Sequence, residues 1–268
     1  MEFNGKNVII TGGSSGIGKS AARIFATKGA NITILARRED MLKRAVTEIS
    51  SSAIDTNQKI SYAIVDVSNH TEVENWAGIY QKSSGSPDVI INSAGITHPG
   101  YFEEIPYETF DELMKIDFYG VLNMCRSFIP MMKAKGGHIV NISSIAGFLG
   151  VFGYTGYSAA KFAVLGFSQA LRSEMKKYNI IISVLCPPDT DTPMLEWEDK
   201  IKPKETRAVA GTAGIMSPDD VAKAMIAGMI KKKFIIVPGF NGKFVLYASR
   251  LAPSLVEWIM DRQIKKAG

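Results

Sequence analysis

Asn7-Val8-Ile9-Ile10-Thr11-Gly12-Gly13-Ser14-Ser15-Gly16-Ile17-Gly18 reads as a strand, a tight turn and the opening of a helix. Asn7–Ile10 is a short apolar run without polar alternation, as expected of a strand covered on both faces. The strand ends at Thr11 and the helix opens near Ser15-Gly16. Glycines 12, 16 and 18 permit the turn and let backbone approach a pyrophosphate closely. A helix N-terminus adds free N–H groups and the positive end of its dipole. A glycine-rich run is a weak signal alone. Placed between a strand and a helix at the start of the fold it is strong, and it nominates Gly12, Ser14, Ser15, Gly16, Ile17 and Gly18 as dinucleotide contacts.

The rhythm continues along the chain. Further apolar runs at Asn31–Leu35, Ile60–Val65, Val89–Ile91, His138–Ile142, Ile180–Cys186 and Phe234–Val237 read as strands. Helical patterns lie between them at Ser15–Lys28, Glu39–Ser52, Thr71–Lys82, Tyr107–Lys135, Tyr154–Tyr178 and Pro218–Lys231. Strand–helix alternation implies an α/β fold, a single Rossmann-type doubly wound parallel sheet of about seven strands flanked by helices. Residues 1–268 are expected to form one dinucleotide-binding domain. Two regions break the pattern. Residues 187–217, with Pro187-Pro188, Pro193 and Pro203, read as a long loop serving as a substrate lid. Residues 242–265 read as an amphipathic segment, with Leu246, Leu251, Leu255, Trp258 and Ile259 among Arg250, Glu257, Asp261 and Arg262.

Composition narrows the classes of function. The hydrophobic fraction of 46% supports a large core. The formal charge, 31 minus 26 or +5, suits an anionic cofactor or membrane surface. It is too diffuse for nucleic acid, and no basic-aromatic motif is present. Cys125 and Cys186 lie in apolar contexts outside any metal-ligand spacing, so buried thiols, no metal and a reducing compartment are expected. Met1–Lys6 runs straight into a strand, without room for a signal peptide, and no apolar stretch is long enough to span a bilayer. A cytoplasmic location, peripheral to a membrane if the tail contacts one, is the resulting expectation.

The ends of the later strands extend the cofactor site. An acidic residue at the end of the second strand would hold the ribose hydroxyls of NAD, whereas arginine accommodates a 2′-phosphate. Here the chain reads Leu35-Ala36-Arg37-Arg38, which favours NADPH/NADP+ over the alternative of two solvated arginines. Asp66, followed by Val67, is placed to accept from an adenine amino group. Asn92-Ser93-Ala94-Gly95 ends the fourth strand, where small Ala94 and Gly95 let a cofactor pass and Asn92 serves equally as a ligand contact or a sheet brace.

Tyr157 and Lys161 lie one helical turn apart and Ser144 precedes the tyrosine by thirteen positions. Residues i and i+4 share a helix face, so the ammonium can lie beside the phenol. A neighbouring cation favours phenolate, and a tyrosine so tuned can exchange a proton with a carbonyl or alcohol near neutral pH. With the glycine turn, this points to hydride transfer.

Thr11–Gly18, Asp66-Val67, Asn92–Gly95, Ser144, Tyr157-Ser158-Ala159-Ala160-Lys161 and the turn at Pro187, in this order and spacing, resemble the short-chain dehydrogenase/reductase family over nearly the whole chain. The resemblance implies that Tyr157 is the general acid in reduction, that Lys161 lowers its pKa and holds the nicotinamide ribose, and that Ser144 hydrogen-bonds the substrate oxygen. It implies that Pro187, Thr190 and Thr192 border the carboxamide. It also implies a homodimer or homotetramer formed through the Tyr107–Lys135 and Tyr154–Tyr178 helices. One position departs from the family, which usually has asparagine where Asp117 stands. A carboxylate there can organise water for proton relay, but it also adds a charge near Lys161 that weakens the lysine's help to Tyr157.

A narrower resemblance is to 3-ketodihydrosphingosine reductases. It lies in Pro187-Pro188-Asp189-Thr190-Asp191-Thr192-Pro193, in Lys202-Pro203-Lys204-Glu205-Thr206-Arg207 and in Gly147–Tyr154. It implies NADPH-dependent reduction of 3-ketosphinganine to dihydrosphingosine, with a lipid-like ketone as substrate. Two alternatives stay open. One is a general carbonyl, steroid or 3-oxoacyl reductase; the other is a non-catalytic NADP-binding sensor or scaffold. The tail either packs on its own domain or a partner subunit, or lies in a membrane interface.

Overall fold

The computed structural model describes residues 3–210 and 214–268. Seven parallel strands, β1 (Asn7–Thr11), β2 (Asn31–Ala36), β3 (Ile60–Ile64), β4 (Val89–Asn92), β5 (Gly137–Ile142), β6 (Ile180–Leu185) and β7 (Ile235–Ile236), make one sheet in the order β3-β2-β1-β4-β5-β6-β7. The helices are α1 (Gly16–Ala26), α2 (Glu39–Ser50), α3 (His70–Ser84), α4 (Tyr107–Leu113), α5 (Gly120–Met132), α6 (Thr155–Met175), α7 (Pro193–Ile201), α8 (Lys204–Ala210), α9 (Pro218–Ile230), α10 (Phe240–Leu251) and α11 (Pro253–Ala267).

Period-two alternation divides each strand between two cores. Val8, Ile10, Ile32, Ile34, Val89 and Ile91 face one side, against Phe25 of α1, Leu42 of α2 and Met225 of α9. Ile9, Leu35, Ile90, Ile139 and Ile182 face the other, against Tyr80 of α3, Phe128 of α5 and Val164 of α6. Both faces are covered, which is why the strands show no polar alternation. The strand order reverses between β1 and β4, and the connections leave a crevice at the carboxyl ends of these strands. Thr11 Oγ1 accepts from the N–H groups of Ser93 and Ala94, each at 3.0 Å, and locks the two strand ends together at that crevice.

Two expectations are corrected and a third is refined. The long helix over 107–135 is broken by a π-helical turn at Met114–Tyr119. That turn carries Asp117 inward, and such turns are frequent at functional sites. Residues 187–217 are not a structureless loop, because α7 and α8 lie within them. Thr192 caps α7 and Pro193 opens it, which suits proline at a first helical position; residues 211–213 of this segment lie outside the described residues. The amphipathic tail 242–265 is two helices, because Pro253 cannot continue α10 and instead begins α11. Among the described residues, no helix is long and apolar enough to cross a membrane, and no cluster of His, Cys, Asp or Glu could hold a metal ion.

Candidate active site

The strand ends deliver their side chains to one cleft of about 720 Å³, within the range of small-molecule sites. Gly12, Ser14, Ser15, Gly16 and Ile17 line one end, with Arg37, Arg38, Asp66, Val67, Ala94 and Gly95. Ser144, Tyr157, Lys161, Pro187, Thr190 and Thr192 line the middle. The far end is apolar, with Phe244, Val245 and Ala248 from α10 and Leu255, Ile259 and Met260 from α11.

Two nominated contacts fall elsewhere. Asn92 is turned into the sheet, where its Nδ2 donates to Asn141 Oδ1 at 2.8 Å. It braces β4 against β5 and is not among the residues lining the cleft. Gly18 also stands back from the cleft: a Cβ there would lie 2.5 Å from the Gly12 carbonyl oxygen, so its smallness lets α1 pack on the turn.

The cradle fits a dinucleotide diphosphate. α1 begins without a side-chain cap and without an acidic residue in its first turn, so its N–H groups and dipole end are open to an anion. Gly12 has φ +64°, and a Cβ there would come within 2.8 Å of Ala94 N. Across the cleft, a Cβ on Gly16 would reach Thr192 Cγ2 at 3.0 Å, so any side chain would narrow the space between the turn and the segment after β6. At the neighbouring end Arg37 lies 4.0 Å from Asp66 Oδ2 and is largely exposed, which leaves its guanidinium free to meet a phosphate.

In the reacting region, α6 places Tyr157 and Lys161 on one face, and Lys161 Nζ lies 5.4 Å from the centre of the Tyr157 ring. Ser144 caps the short helical turn Ile145–Gly147, with Oγ accepting from Ala146 N at 3.1 Å. That bond uses a lone pair and leaves the hydroxyl proton to be donated, and the Ser144 hydroxyl beside Tyr157 favours its phenolate. Lys161 is buried and pairs at 3.0 Å with Asp117 Oδ2, while Asp117 Oδ1 accepts from Ile96 N at 2.7 Å. Burial pushes the Asp117 carboxyl up, against the opposing pull of Lys161 and the Ile96 N–H.

This pairing corrects the expected acidity of the tyrosine. Burial, then the charges of Asp117 and Glu198, hold the Tyr157 hydroxyl well above the ordinary phenol range, opposed by the Ser144 hydrogen bond. The lysine is beside the phenol as expected, but its charge is taken up by Asp117.

The segment after β6 adds groups to the site; neither Glu198 nor Tyr101, which bonds to that segment, was singled out in the sequence. Tyr154 donates to Glu198 Oε2 at 2.8 Å, Tyr101 donates to Glu205 Oε2 at 3.0 Å, and Thr206 Oγ1 donates to the Phe152 carbonyl at 3.0 Å. These bonds tie α7 and α8 to the wall beside Tyr157. Lys202 lies 3.0 Å from Glu198 and 3.6 Å from Asp189; burial pulls the lysine pKa down, but the two carboxylates outweigh it and raise it. In sequence, Glu198 and Lys202 look like an ordinary exposed i,i+4 pair, and the only usable signal was the proline at the start of α7.

A parallel doubly wound sheet with an open helix N-terminus and a Ser–Tyr–Lys group in the same crevice defines a nicotinamide-dependent oxidoreductase of the alcohol–carbonyl pair. The short chain dehydrogenase family model matches residues 6–202, and the chain belongs to this family. A 3-ketodihydrosphingosine reductase of Mus musculus is 42% identical over 244 residues, which cover 90% of this chain and 74% of that protein. A 3-oxoacyl-acyl-carrier-protein reductase of Chlamydia muridarum is 36% identical over 224 residues, covering 82% of this chain and 88% of that protein. Among solved structures, levodione reductase matches with a TM-score of 0.81 at 25% identity, covering 90% of this chain and 98% of that one.

Replacing Asp117 by asparagine keeps an acceptor for the Ile96 N–H and removes the charge that raises the Tyr157 pKa. Reductase turnover of D117N should stay within about tenfold of the parent, roughly 1.4 kcal/mol in barrier. The fall in turnover at high pH, where the tyrosine loses its proton, should move to lower pH. Stability should drop by about 3 kcal/mol, because Lys161 loses its buried partner. A pH–rate profile and urea unfolding of both proteins check this, and an unmoved alkaline limb would contradict the assignment of that limb to Tyr157.

Proposed function

We propose that this protein uses NADPH to reduce the ketone of a long-chain 3-keto sphingoid base, 3-ketosphinganine, to dihydrosphingosine. The observation that carries the reading is the joining of Ser144, Tyr157 and Lys161 to a long apolar wall in one cleft. The similarity to the mouse 3-ketodihydrosphingosine reductase supports the substrate class.

The nicotinamide, when bound, supplies the hydride. The protein does the rest. The N-terminus of α1 and the turn before it hold the diphosphate, Arg37 and Arg38 hold the 2′-phosphate, and Asp66, Val67, Ala94 and Gly95 border the adenosine half and the path from it. Pro187, Thr190 and Thr192 orient the carboxamide. Ser144 donates its hydroxyl proton in a hydrogen bond to the ketone oxygen and steadies the charge that develops there. Tyr157 transfers its own proton from Oη to that oxygen, completing the alcohol. Lys161 holds the ribose and stabilises the phenolate left behind. Asp117 fixes the position of the lysine head and supplies an acceptor for the relay that returns a proton to Tyr157.

The apolar end of the cleft bears on substrate delivery. α10 is anchored by Leu246, which packs with Val184, Cys186 and Val237, and α11 packs against α8. Away from the cleft lining they still expose Phe240, Tyr247, Leu251 and Trp258. Lys243, Arg250, Arg262, Lys265 and Lys266 against Glu257 and Asp261 give residues 240–268 a net charge of 5 − 2, or +3. We infer that this basic, apolar helix pair rests on an anionic membrane surface and opens the cleft toward the acyl chains. Tyr107, Tyr119 and Phe162 are exposed on the α4–α5 and α6 side, the side proposed for pairing with a second copy.

NADPH oxidation by the purified protein, measured with 3-ketosphinganine and with a short-chain 3-oxoacyl thioester, tests the substrate. Turnover should favour the sphingoid ketone at least tenfold in kcat/KM and should fall by several orders of magnitude in Tyr157→Phe. Preference for the thioester would move the protein to the 3-oxoacyl class. For the membrane contact, the protein should float with phosphatidylserine-containing vesicles, whereas a Leu251→Glu, Trp258→Glu double variant should stay with the soluble fraction. Failure of the parent protein to float would remove the membrane reading.

A further inference from the structure

α7 brings to the cleft a carboxylate that the hydride chemistry does not use. Glu198 is 6% exposed and lines the cleft. Its Oε2 receives both Tyr154 Oη at 2.8 Å and Lys202 Nζ at 3.0 Å. Oε1 has no partner among the described residues. The group lies close to the reacting centre: the Tyr154 and Tyr157 rings are 5.5 Å apart, and the charge of Glu198 acts on the Tyr157 hydroxyl.

The charge balance of this wall is incomplete. Asp199 at the surface lies 3.9 Å from Arg207 and 3.4 Å from Lys202. Lys202 is therefore shared among three carboxylates, with Glu198 at 3.0 Å and Asp189 at 3.6 Å as the two buried beside the cleft. One negative charge beside the reacting carbonyl therefore lacks a full counterion, and a buried carboxylate in that state favours a ligand cation. The remaining acidic residue lining the cleft, Asp66, lies at the cofactor end with Arg37.

A 3-keto sphingoid base carries an ammonium group on the carbon next to its carbonyl. With the ketone oxygen held by Ser144 and Tyr157, that nitrogen would face the wall that Tyr154 and Glu198 form beside Tyr157. We propose that Glu198, through Oε1, is the specificity residue that receives the substrate ammonium, with Tyr154 and Lys202 holding the carboxylate in place. This rests on the amino-ketone reading above and goes beyond it by naming the group that selects the amine. It also excludes competitors: a 3-oxoacyl thioester has an uncharged methylene at that position, which leaves the carboxylate unanswered.

Glu198→Gln keeps an acceptor for Tyr154 and removes the charge. The test compares kcat/KM of the NADPH-loaded parent and E198Q proteins on 3-ketosphinganine and on the same chain with hydrogen in place of the amino group. E198Q should lose about 30-fold on the amino ketone, as for a lost hydrogen bond between charged groups, and less than threefold on the amine-free ketone. The loss should appear mainly in KM. Binding of dihydrosphingosine to the NADP+-loaded protein, measured by calorimetry, should weaken by a similar factor, and Glu198→Asp should recover part of it. Equal losses on both ketones, or none on either, would overturn the proposal while leaving the reductase reading standing. A parent protein that reduces neither ketone would overturn the reading and the proposal together.

Discussion

A lysine and a carboxylate 3.0 Å apart, buried where β4, β5 and α6 meet at the wall of the cleft, constrain everything around them. Burying two charges is costly unless geometry and hydrogen bonds compensate, and here the Ile96 N–H supplies one such bond to Asp117. The pair fixes Lys161 along α6, and α6 in turn fixes Tyr157 one turn earlier. The π-helical turn after α4 exists at the point where it lets Asp117 reach this position. An active site with its key cation already paired places the proton donor in an electronegative setting, so the tyrosine holds its proton firmly until cofactor and substrate arrive.

That arrangement gives the cleft a consistent electrical logic. The end near Arg37, Arg38 and the start of α1 is positive and suits phosphates. The middle, where Asp189 and Glu198 share Lys202 near Tyr157, is negative and suits a cation. The far end, built by α10 and α11, is apolar and suits a hydrocarbon chain. A molecule with an ammonium group beside a ketone and a long alkyl tail matches the second and third zones in order, and a nicotinamide dinucleotide phosphate matches the first.

Much of this was legible in the sequence because it rests on local signals. Continuous β-branched runs marked the seven strands, since strands covered on both faces have no reason to alternate. The glycine turn, the arginines after Ala36 and the Tyr157–Lys161 spacing are all determined within a few residues. What was left open or unseen depends on contacts distant in sequence. Asn92 had two equal readings, and its Nδ2 meets Asn141 on β5. The family resemblance put Asp117 near Lys161, but the π-helical turn that carries it inward is announced by no pattern of polar and apolar residues. Glu198 and Lys202 are spaced like a solvated surface pair, and only the packing of α7 against Tyr154 buries them. Pro253 was visible in the sequence, yet the amphipathic pattern on both sides concealed the break it makes between α10 and α11.

The most direct test of the central claim follows the transferred hydrogen itself. The purified protein would be given NADPH carrying deuterium at the reactive position of the nicotinamide, together with 3-ketosphinganine, and the product analysed by mass spectrometry. A hydride-transferring reductase of this substrate places the deuterium on the carbon that bears the new hydroxyl. Cofactor binding with no label reaching that carbon would contradict the assignment of this cleft to ketone reduction.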